Sequence, residues 1–113
     1  MADKPLLNIC RYKVKPGKEQ EFEALLAKHW PALHAAGLMT DEPAVAYRGL
    51  PSHKPGGEHG AARTYVEFIT WKSARGPELA HQMPEGMAVW EPMGAICEEM
   101  DFPFFEPMQL PRP

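Results

Sequence analysis

The segment from Lys13 to Gly37 constrains the fold more than any other part of the chain. It reads KVKPGKEQEFEALLAKHWPALHAAG, the end of a strand followed by a Pro-Gly turn and a helix, predicted from about Lys18 to Ala36. His29 falls on the apolar face of this helix, which carries Phe22, Leu25, Leu26 and Leu33 at helical spacing. An imidazole on such a face is either a hydrogen-bonded core group or part of a pocket.

Two residues are predicted to bend or end this helix. Pro31 lies inside it and is predicted to kink the helix or to end its regular part near Trp30, because proline lacks the backbone N–H and its ring meets the preceding turn. Gly37 is the predicted stop, since glycine readily adopts the left-handed conformation that often follows a helix.

Four segments of the chain are predicted to be extended. They are Leu6 to Val14, Ala44 to Arg48, Thr64 to Trp71, and a last segment from Met100 to Met108. The first strand is apolar on both faces in its first half, which indicates that both faces are buried, one of them by another subunit. Pro103 confines the last segment to a sheet edge or a bulge.

A second helical region follows Pro77. Pro84 and Gly86 interrupt it, so we predict a short turn from Glu78 to Gln82 and a longer helix from about Pro84 to Glu99. One face of the longer helix carries Met87, Trp90, Met93, Gly94 and Cys97. The segment from Gly49 to Ala62 has no periodicity and is predicted to be a mobile loop of about fourteen residues.

The order of elements is β-α-β-β-α-β. Such a chain builds an α+β, ferredoxin-like domain: a four-stranded antiparallel sheet with two helices on one face. At 113 residues we expect one domain that spans residues 1–113. The other sheet face has to be covered, and a second copy of the chain is the simplest cover, so we expect a homodimer through the open sheet face.

Composition narrows the class of partner. The net charge is -3, without clusters of Lys or Arg, so nothing favours nucleic-acid binding. No apolar run has the length of a membrane span or a signal peptide, and Cys10 and Cys97 form neither a disulfide framework nor a zinc pattern. We expect a cytoplasmic protein that binds a small apolar or aromatic ligand, without membrane contact.

The chain resembles a known superfamily over roughly Leu6 to Glu106. The strand leading into VKPGKEQEFEALL, the EFITWKS strand and the AHQMPEGMAVWEPM helix look like the dimeric α+β barrel proteins. Within them, the chain is most similar to antibiotic-biosynthesis-monooxygenase-like domains. The resemblance implies a homodimer whose sheets pack face to face and a pocket between helices and sheet. Its characterised members include cofactor-free oxygenases of quinols and polycyclic phenols, and haem-degrading enzymes.

The haem-degrading relatives use an asparagine on the first strand and a tryptophan and a histidine on the second helix. Aligned on the turn glycine, their asparagine falls on Cys10 of this chain. Their tryptophan falls at Ala80 or His81, and their histidine near Trp90 or Glu91. None of the three residue types is in its expected place, so haem cleavage is not carried over.

Three residues are predicted to be catalytic. His29 could act as a general base that takes a phenolic or enolic proton, and the alternative is a core histidine bonded to a backbone carbonyl or a water. His81 lies beside the interrupted helix and either faces a cavity or points to solvent. Asn8 could donate to a developing oxyanion, or it could close a sheet edge with a hydrogen bond.

Five further residues are predicted to contact the substrate: Cys10, Tyr12, Phe22, Met87 and Trp90. An indole flanked by methionines suits a flat aromatic ligand, although the same stripe could be plain core. Trp30 and Trp71 are expected to pack in the core or at a dimer seam. Glu67 is either a buried carboxylate or a cross-strand partner of Arg11 or Arg48.

Three functions remain open from sequence. The first is a cofactor-independent monooxygenase of a small aromatic quinol or polyketide-like phenol, with neither cofactor nor metal. The second is a non-catalytic module that binds a small molecule or haem. The third is an accessory dimer whose pocket is filled by its own side chains. His53, Glu58 and His59 flank a glycine-rich loop but match no strong metal-binding pattern.

Overall fold

The computed structural model describes residues 4–51 and 62–111 of the chain. Within these residues the strands are β1 (Leu6–Val14), β2 (Val45–Arg48), β3 (Thr64–Trp71), β4 (Cys97–Asp101) and β5 (Phe104–Phe105). The helices are α1 (Glu19–Ala35), α2 (Gly76–His81) and α3 (Pro84–Ala95). The predicted mobile loop falls mostly on residues 52–61, which lie outside the described residues.

The sheet has the order β2-β3-β1-β4 and is antiparallel throughout, as the predicted ferredoxin-like topology requires. β1 is central: Leu6 lies opposite Trp71 and Lys13 opposite Thr64 on β3. The sheet has one more strand than predicted, because the last extended segment is divided. β4 pairs with the end of β1, and β5 pairs with Leu7 and Asn8 near its beginning.

The division occurs around Pro103, between β4 and β5. Proline cannot donate to a sheet ladder, so a continuous strand pairing is interrupted there. The Pro103 carbonyl still accepts the backbone N–H of Ile9 at 3.0 Å. The connection between the two strands is therefore fastened to β1.

Helix α1 ends just before Gly37, the predicted stop, which has φ +82°. The N–H of Gly37 donates to the carbonyl of His34 at 2.9 Å, and the N–H of Leu38 donates to that of Leu33 at 3.1 Å. These two bonds form a Schellman motif, which satisfies the last carbonyls of the helix. They fix where the chain leaves the helix layer.

Of the two effects predicted for Pro31, an end of the regular helix near Trp30 is not observed: α1 continues through Pro31 to Ala35, close to the predicted end of the helix at Ala36. Proline removes one backbone donor, which the remaining helical bonds tolerate. His29 and Leu33 on either side of Pro31 are both buried, so packing keeps the last turn in place.

The predicted boundary of the longer helix is also wrong. Helix α3 ends at Ala95, and Cys97 begins β4 rather than extending the helix to Glu99. Met93 and Cys97 are four residues apart and both buried, a spacing typical of a helix face. The helix ends here because the chain pairs with the free edge of β1. Val14 pairs with Cys97, and the N–H of Lys15 donates to the carbonyl of Ile96 at 2.9 Å.

The two sheet faces differ. The face toward the helices is buried along both central strands, through Asn8, Cys10, Tyr12, Val14, Tyr65, Glu67, Ile69 and Trp71. The other face is partly open, with apolar side chains that include Leu7, Ile9, Val66 and Phe68, and it becomes charged toward the end of β1. On β2, Val45 and Tyr47 are 48% and 61% exposed. The site lies on the helix side.

Among the described residues, no helix combines the length and the apolar character that crossing a membrane requires.

Candidate active site

A cavity of about 320 Å³ lies between the helices and the sheet. Strands β1 and β3 form its floor, α1, α2 and α3 form its walls, and the segment between β4 and β5 contributes aromatic rings. The lining residues are Asn8, Cys10, His29, Leu33, Ile69, Trp71, Pro77, Ala80, His81, Gly86, Met87, Trp90, Phe102 and Phe104.

Six of the eight residues singled out from the sequence line this cavity: Asn8, Cys10, His29, His81, Met87 and Trp90. They come from one strand and three helices, so the fold brings together residues that are distant in sequence. Their roles in binding and catalysis stay predictions.

Phe22 and Tyr12 do not line the cavity. Phe22 is seven residues before His29 on α1, which places it about 10 Å further along the same face. It packs instead against Tyr12 and Tyr65, with ring centroids 5.0 and 4.8 Å apart. Phe22 and Tyr12 therefore pack in the core beside the cavity rather than in its lining, and a contact of either with a substrate stays a prediction.

His29 is hydrogen bonded to a carboxylate. Its Nδ1 lies 2.9 Å from Oε1 of Glu67, and the Tyr12 hydroxyl donates to the same oxygen at 2.9 Å. The Glu67 side chain is 1% exposed and that of His29 is 8% exposed. Sequence reasoning considered a carbonyl or a water as the partner of His29, and the structure identifies a buried glutamate.

The shared oxygen determines which nitrogen of His29 carries a proton. Burial, followed by the negative charge of Glu67, raises the pKa of Tyr12, so its hydroxyl stays protonated and donates. Where Glu67 is a carboxylate, it can only accept, so Nδ1 of His29 donates to it. With a neutral ring, Nε2 then keeps its lone pair, and no residue in the described part of the chain is hydrogen bonded to it. A cavity-lining imidazole in this state can accept a proton.

Asn8 holds two parts of the wall together. Its Oδ1 accepts the indole N–H of Trp71 at 3.1 Å, and its Nδ2 donates to the Pro103 carbonyl at 3.1 Å. Because an indole only donates and a carbonyl only accepts, these partners fix the orientation of the amide. One N–H of Asn8 is left for a ligand, while the rest of the amide fastens the wall.

Trp71 packs in the core, one of the two positions that sequence reasoning gave it, and it also lines the cavity. It is 5% exposed, and Gly76 at the start of α2 lies against its ring. A Cβ at residue 76 would overlap the indole, so only glycine permits this approach. The alternation of buried residues along β3 could have indicated Trp71, since it shares a face with Glu67.

His81 and Trp90 form the rim of the cavity. Their rings meet edge to face with centroids 5.4 Å apart. His81 is exposed and Trp90 is half-buried, so the imidazole lies on the solvent side of the indole. His81 is thus both a lining residue and a solvent-facing one, the two orientations between which the sequence did not decide.

Cys10 lines the cavity as a neutral thiol. Burial raises its pKa well above the usual range, and the charge of Glu67 raises it further. A thiol held protonated is a poor nucleophile, so the cavity offers no activated cysteine.

Glu67 is the functional residue that the sequence left least defined. Its alternative partners are engaged elsewhere: Arg11 pairs with Asp101, and the Nε of Arg48 donates to Glu23 at 3.0 Å. Phe102 and Phe104 were likewise not predicted to line the cavity. Phe104 reaches it because it pairs with Asn8, a register that periodicity does not reveal.

In the part of the chain that the structure describes, no lysine, arginine, aspartate or glutamate lines the cavity. Residues 4–51 and 62–111 also contain no group of three His, Cys, Asp or Glu that could hold a metal ion. The predicted loop residues His53, Glu58 and His59 lie outside the described residues. The described site is an apolar cavity with one buried imidazole that is oriented by a carboxylate.

No protein-family model matches this chain, and no curated protein matches its sequence. Solved structures do match its fold. SnoaB, a cofactor-independent oxygenase from Streptomyces nogalater, is similar with a TM-score of 0.70 at 16% identity, over 96% of this chain and 97% of SnoaB. A candidate antibiotic biosynthesis monooxygenase from Bordetella bronchiseptica is similar with a TM-score of 0.70 at 17% identity, over 94% of this chain and 99% of that protein. A NIPSNAP family protein from Agrobacterium tumefaciens is similar with a TM-score of 0.63 at 13% identity, over 98% of this chain and 92% of that protein.

These similarities confirm the predicted fold: an α+β, ferredoxin-like domain of the kind found in antibiotic-biosynthesis-monooxygenase-like proteins. At such identities a common fold says nothing about the substrate. One fold also hosts several chemistries, so the activity has to be argued from the cavity itself.

Proposed function

We propose that the protein is a cofactor-independent monooxygenase that oxidises a small aromatic quinol or polyketide-like phenol with dioxygen. The observation that carries this proposal is the bond between Nδ1 of His29 and Glu67 at 2.9 Å, in the wall of an apolar cavity. A carboxylate that orients an imidazole and stabilises its cation is a recurring arrangement for general bases.

In this proposal, Nε2 of His29 takes the phenolic or enolic proton of the bound substrate. The resulting anion is electron-rich enough to reduce dioxygen directly. One oxygen atom stays on the oxidised carbon of the substrate, and the other leaves as water with two hydrogens that the substrate loses as it becomes a quinone. The substrate supplies all the electrons, so the reaction needs no external reductant.

The other lining residues have supporting roles in the proposal. Trp90 and Met87 contact the flat face of the substrate, and the remaining N–H of Asn8 donates to its oxygen. The apolar walls admit dioxygen and keep water away from the anion. His81, at the rim, is a second candidate base for a substrate whose hydroxyl points outward.

The proposal includes a homodimer through the open sheet face. The apolar side chains of this face, among them Val45 and Tyr47, support such a pairing because a large exposed apolar patch usually marks an interface. The cavity lies on the opposite side of the sheet, so each protomer keeps a site of its own.

The test is oxygen consumption with a panel of quinols and polycyclic phenols in air. We expect turnover of at least one compound, and a loss of about 100-fold or more in kcat for His29→Ala. His34→Ala is the matched control, because His34 lies on the same helix but bonds to exposed Asp41 at 2.8 Å. Folded protein that turns over no compound on the panel contradicts the proposal.

The alternative is a module that binds a small aromatic molecule without chemistry. It is favoured by the state of Asn8, whose carbonyl and one N–H are already engaged by Trp71 and Pro103. A ligand recovered unchanged from the protein after incubation in air would support the alternative. An increase in Tm on adding a ligand such as haem would identify what is bound.

A further inference from the structure

We propose that the cavity accepts uncharged aromatic molecules and rejects those that carry a carboxylate beside the hydroxyl, and that Glu67 imposes this selection. This inference defines the class of ligand that the same site accepts. It rests on one part of the proposed function, namely that the ligand binds in the cavity. It concerns binding alone, so it can be tested whether or not turnover occurs.

The first observation is that the described residues of the lining include no lysine or arginine to pair with an acid. Asn8, His29 and His81 supply the polar side chains of the lining beside the thiol of Cys10 and the indole N–H groups. The arginines nearest the sheet are engaged elsewhere: Arg11 with Asp101, Arg48 with Glu23, and Arg63 with the Val14 carbonyl. A buried carboxylate without a cation is costly, so an acid gains nothing that offsets its loss of water.

The second observation is the position of Glu67 behind His29. Even a protonated His29 is already paired with this carboxylate at 2.9 Å, so the pair carries no net positive charge. With a neutral His29 the pair is negative. A ligand carboxylate placed at Nε2 is repelled by Glu67 in one case and gains no net charge partner in the other.

The other titratable groups that face this pair do not change the result. Tyr12 and Cys10, on β1, have raised pKa values and are neutral. His29 is the one such group that α1 contributes to the cavity lining, and His81 at the end of α2 is exposed at the rim. A phenol, by contrast, donates its hydroxyl to Nε2 without bringing in charge.

The test uses three probes that share two aromatic rings. They are 1-naphthol, 1-hydroxy-2-naphthamide and 1-hydroxy-2-naphthoate, and their Kd values are measured by isothermal titration calorimetry near neutral pH. The amide has almost the shape of the acid but no charge. We expect naphthol and amide to bind with similar affinity, and the acid to bind at least about tenfold more weakly.

Glu67→Gln tests the role of this residue. The variant keeps an oxygen that can accept from Nδ1 but removes the charge, so His29 can be protonated as a partner for the acid. We expect the affinity for the naphthoate to increase by about tenfold or more, with little change for the amide. Glu99→Gln is the control, since Glu99 is exposed on β4. Glu67→Leu serves if the first variant does not fold.

Each outcome decides one point. If the wild-type protein binds the naphthoate as tightly as the amide, the cavity does not select against charge. If neither the naphthoate nor the amide binds, the restriction is steric, and the proposed selection by charge is overturned as well. Acid binding unchanged in both Glu67 variants overturns the role of Glu67. Failure of 1-naphthol itself overturns the cavity as an aromatic site, and with it the proposed function. Absence of turnover alone contradicts only the proposed function.

Discussion

A single carboxylate oxygen organises the site at the scale of residues. Oε1 of Glu67 accepts from Tyr12 and from His29, and this determines both the orientation of the imidazole and the proton on it. The same charge keeps Cys10 and Tyr12 neutral by raising their pKa values, although burial is the larger cause in both. Burial and the charge of Glu67 together keep the thiol and the phenol neutral, and the same carboxylate orients the imidazole.

We expect the raised pKa of Cys10 to make the protein less stable in alkali. The thiol ionises near its ordinary pKa of 9.0 in the unfolded chain but resists ionisation when folded. Its contribution to the free energy of unfolding is therefore complete below that pH and decreases as the pH rises, by about 1.4 kcal/mol per pH unit.

Urea unfolding between about pH 8 and about pH 10 measures this dependence. Cys10→Ala should show a shallower decrease than the wild-type protein, whatever its absolute stability. Cys97→Ala is a parallel case, because burial raises the pKa of Cys97 to about 11, above the pH range measured, so this variant should also show a shallower decrease. Identical slopes for Cys10→Ala and wild type would refute the expectation.

The sequence predicted the position of His29 but not its hydrogen-bond partner. His29 could be found because the 3.6-residue period of a helix puts it on the face of Leu33. Its partner could not, because Glu67 is 38 residues away and reaches it only after β3 has paired with β1 beneath α1. Alternation along β3 indicates that Glu67 is buried, but not what it contacts.

Close contact between elements shapes the cavity at the next scale. The first turn of α2 lies so close to β3 that Gly76 touches the face of Trp71. The indole in turn donates to Asn8 on β1, so α2, β3 and β1 are connected through one ring. The position of Trp71 in the cavity lining therefore depends on Gly76, which has no side chain to displace the ring.

Gly76→Ala should therefore move Trp71. The added methyl group overlaps the ring, and we expect a loss of about 1–3 kcal/mol in the free energy of unfolding, together with a shift in tryptophan fluorescence. Gly94→Ala is the control, because a Cβ on that helix residue meets only Met100 at an ordinary 3.7 Å. Helix propensity makes this control neutral or slightly stabilising. Equal stability of the two variants would contradict the proposed contact.

Element boundaries were predictable where a local signal exists. The Gly37 stop, the first strand and the third strand follow from residue preferences and are observed. The end of α3 was not predictable, because Met93 and Cys97 keep a helical spacing across the boundary. After Ala95 the chain pairs with the free edge of β1 instead of continuing the helix, and that edge exists only in the folded sheet.

At the scale of the whole molecule, the sheet separates two apolar regions. The helix side encloses the cavity, and the opposite side exposes apolar residues of β1, β2 and β3. Tyr47 and Phe68 meet edge to face on this open side with centroids 5.8 Å apart. The element order predicted this arrangement, since two helices can cover only one face.

We expect the open face to form the homodimer, and Tyr47→Lys to weaken it. Tyr47 is 61% exposed, so the change should leave the protomer folded while it places a charge in the interface. Light scattering coupled to size exclusion should give a dimer for the wild-type protein and a dimer dissociation constant at least about tenfold higher for the variant.

Glu85→Lys is the matched control, since it changes charge at an exposed position on α3. It should leave the dimer intact. A wild-type protein that elutes as a monomer at high concentration, or a Tyr47→Lys variant as dimeric as the wild type, would show that this face is not the interface.

The fastening of Pro103 to Asn8 and Ile9 has a consequence for biosynthesis. A nascent chain that has reached β4 already contains the imidazole and its carboxylate, but it lacks the rings of Phe102 and Phe104 and the Pro103 carbonyl that accepts from Asn8 and Ile9. The cavity is therefore complete only after these residues have been synthesised, and the proposed oxidation would have to follow that step.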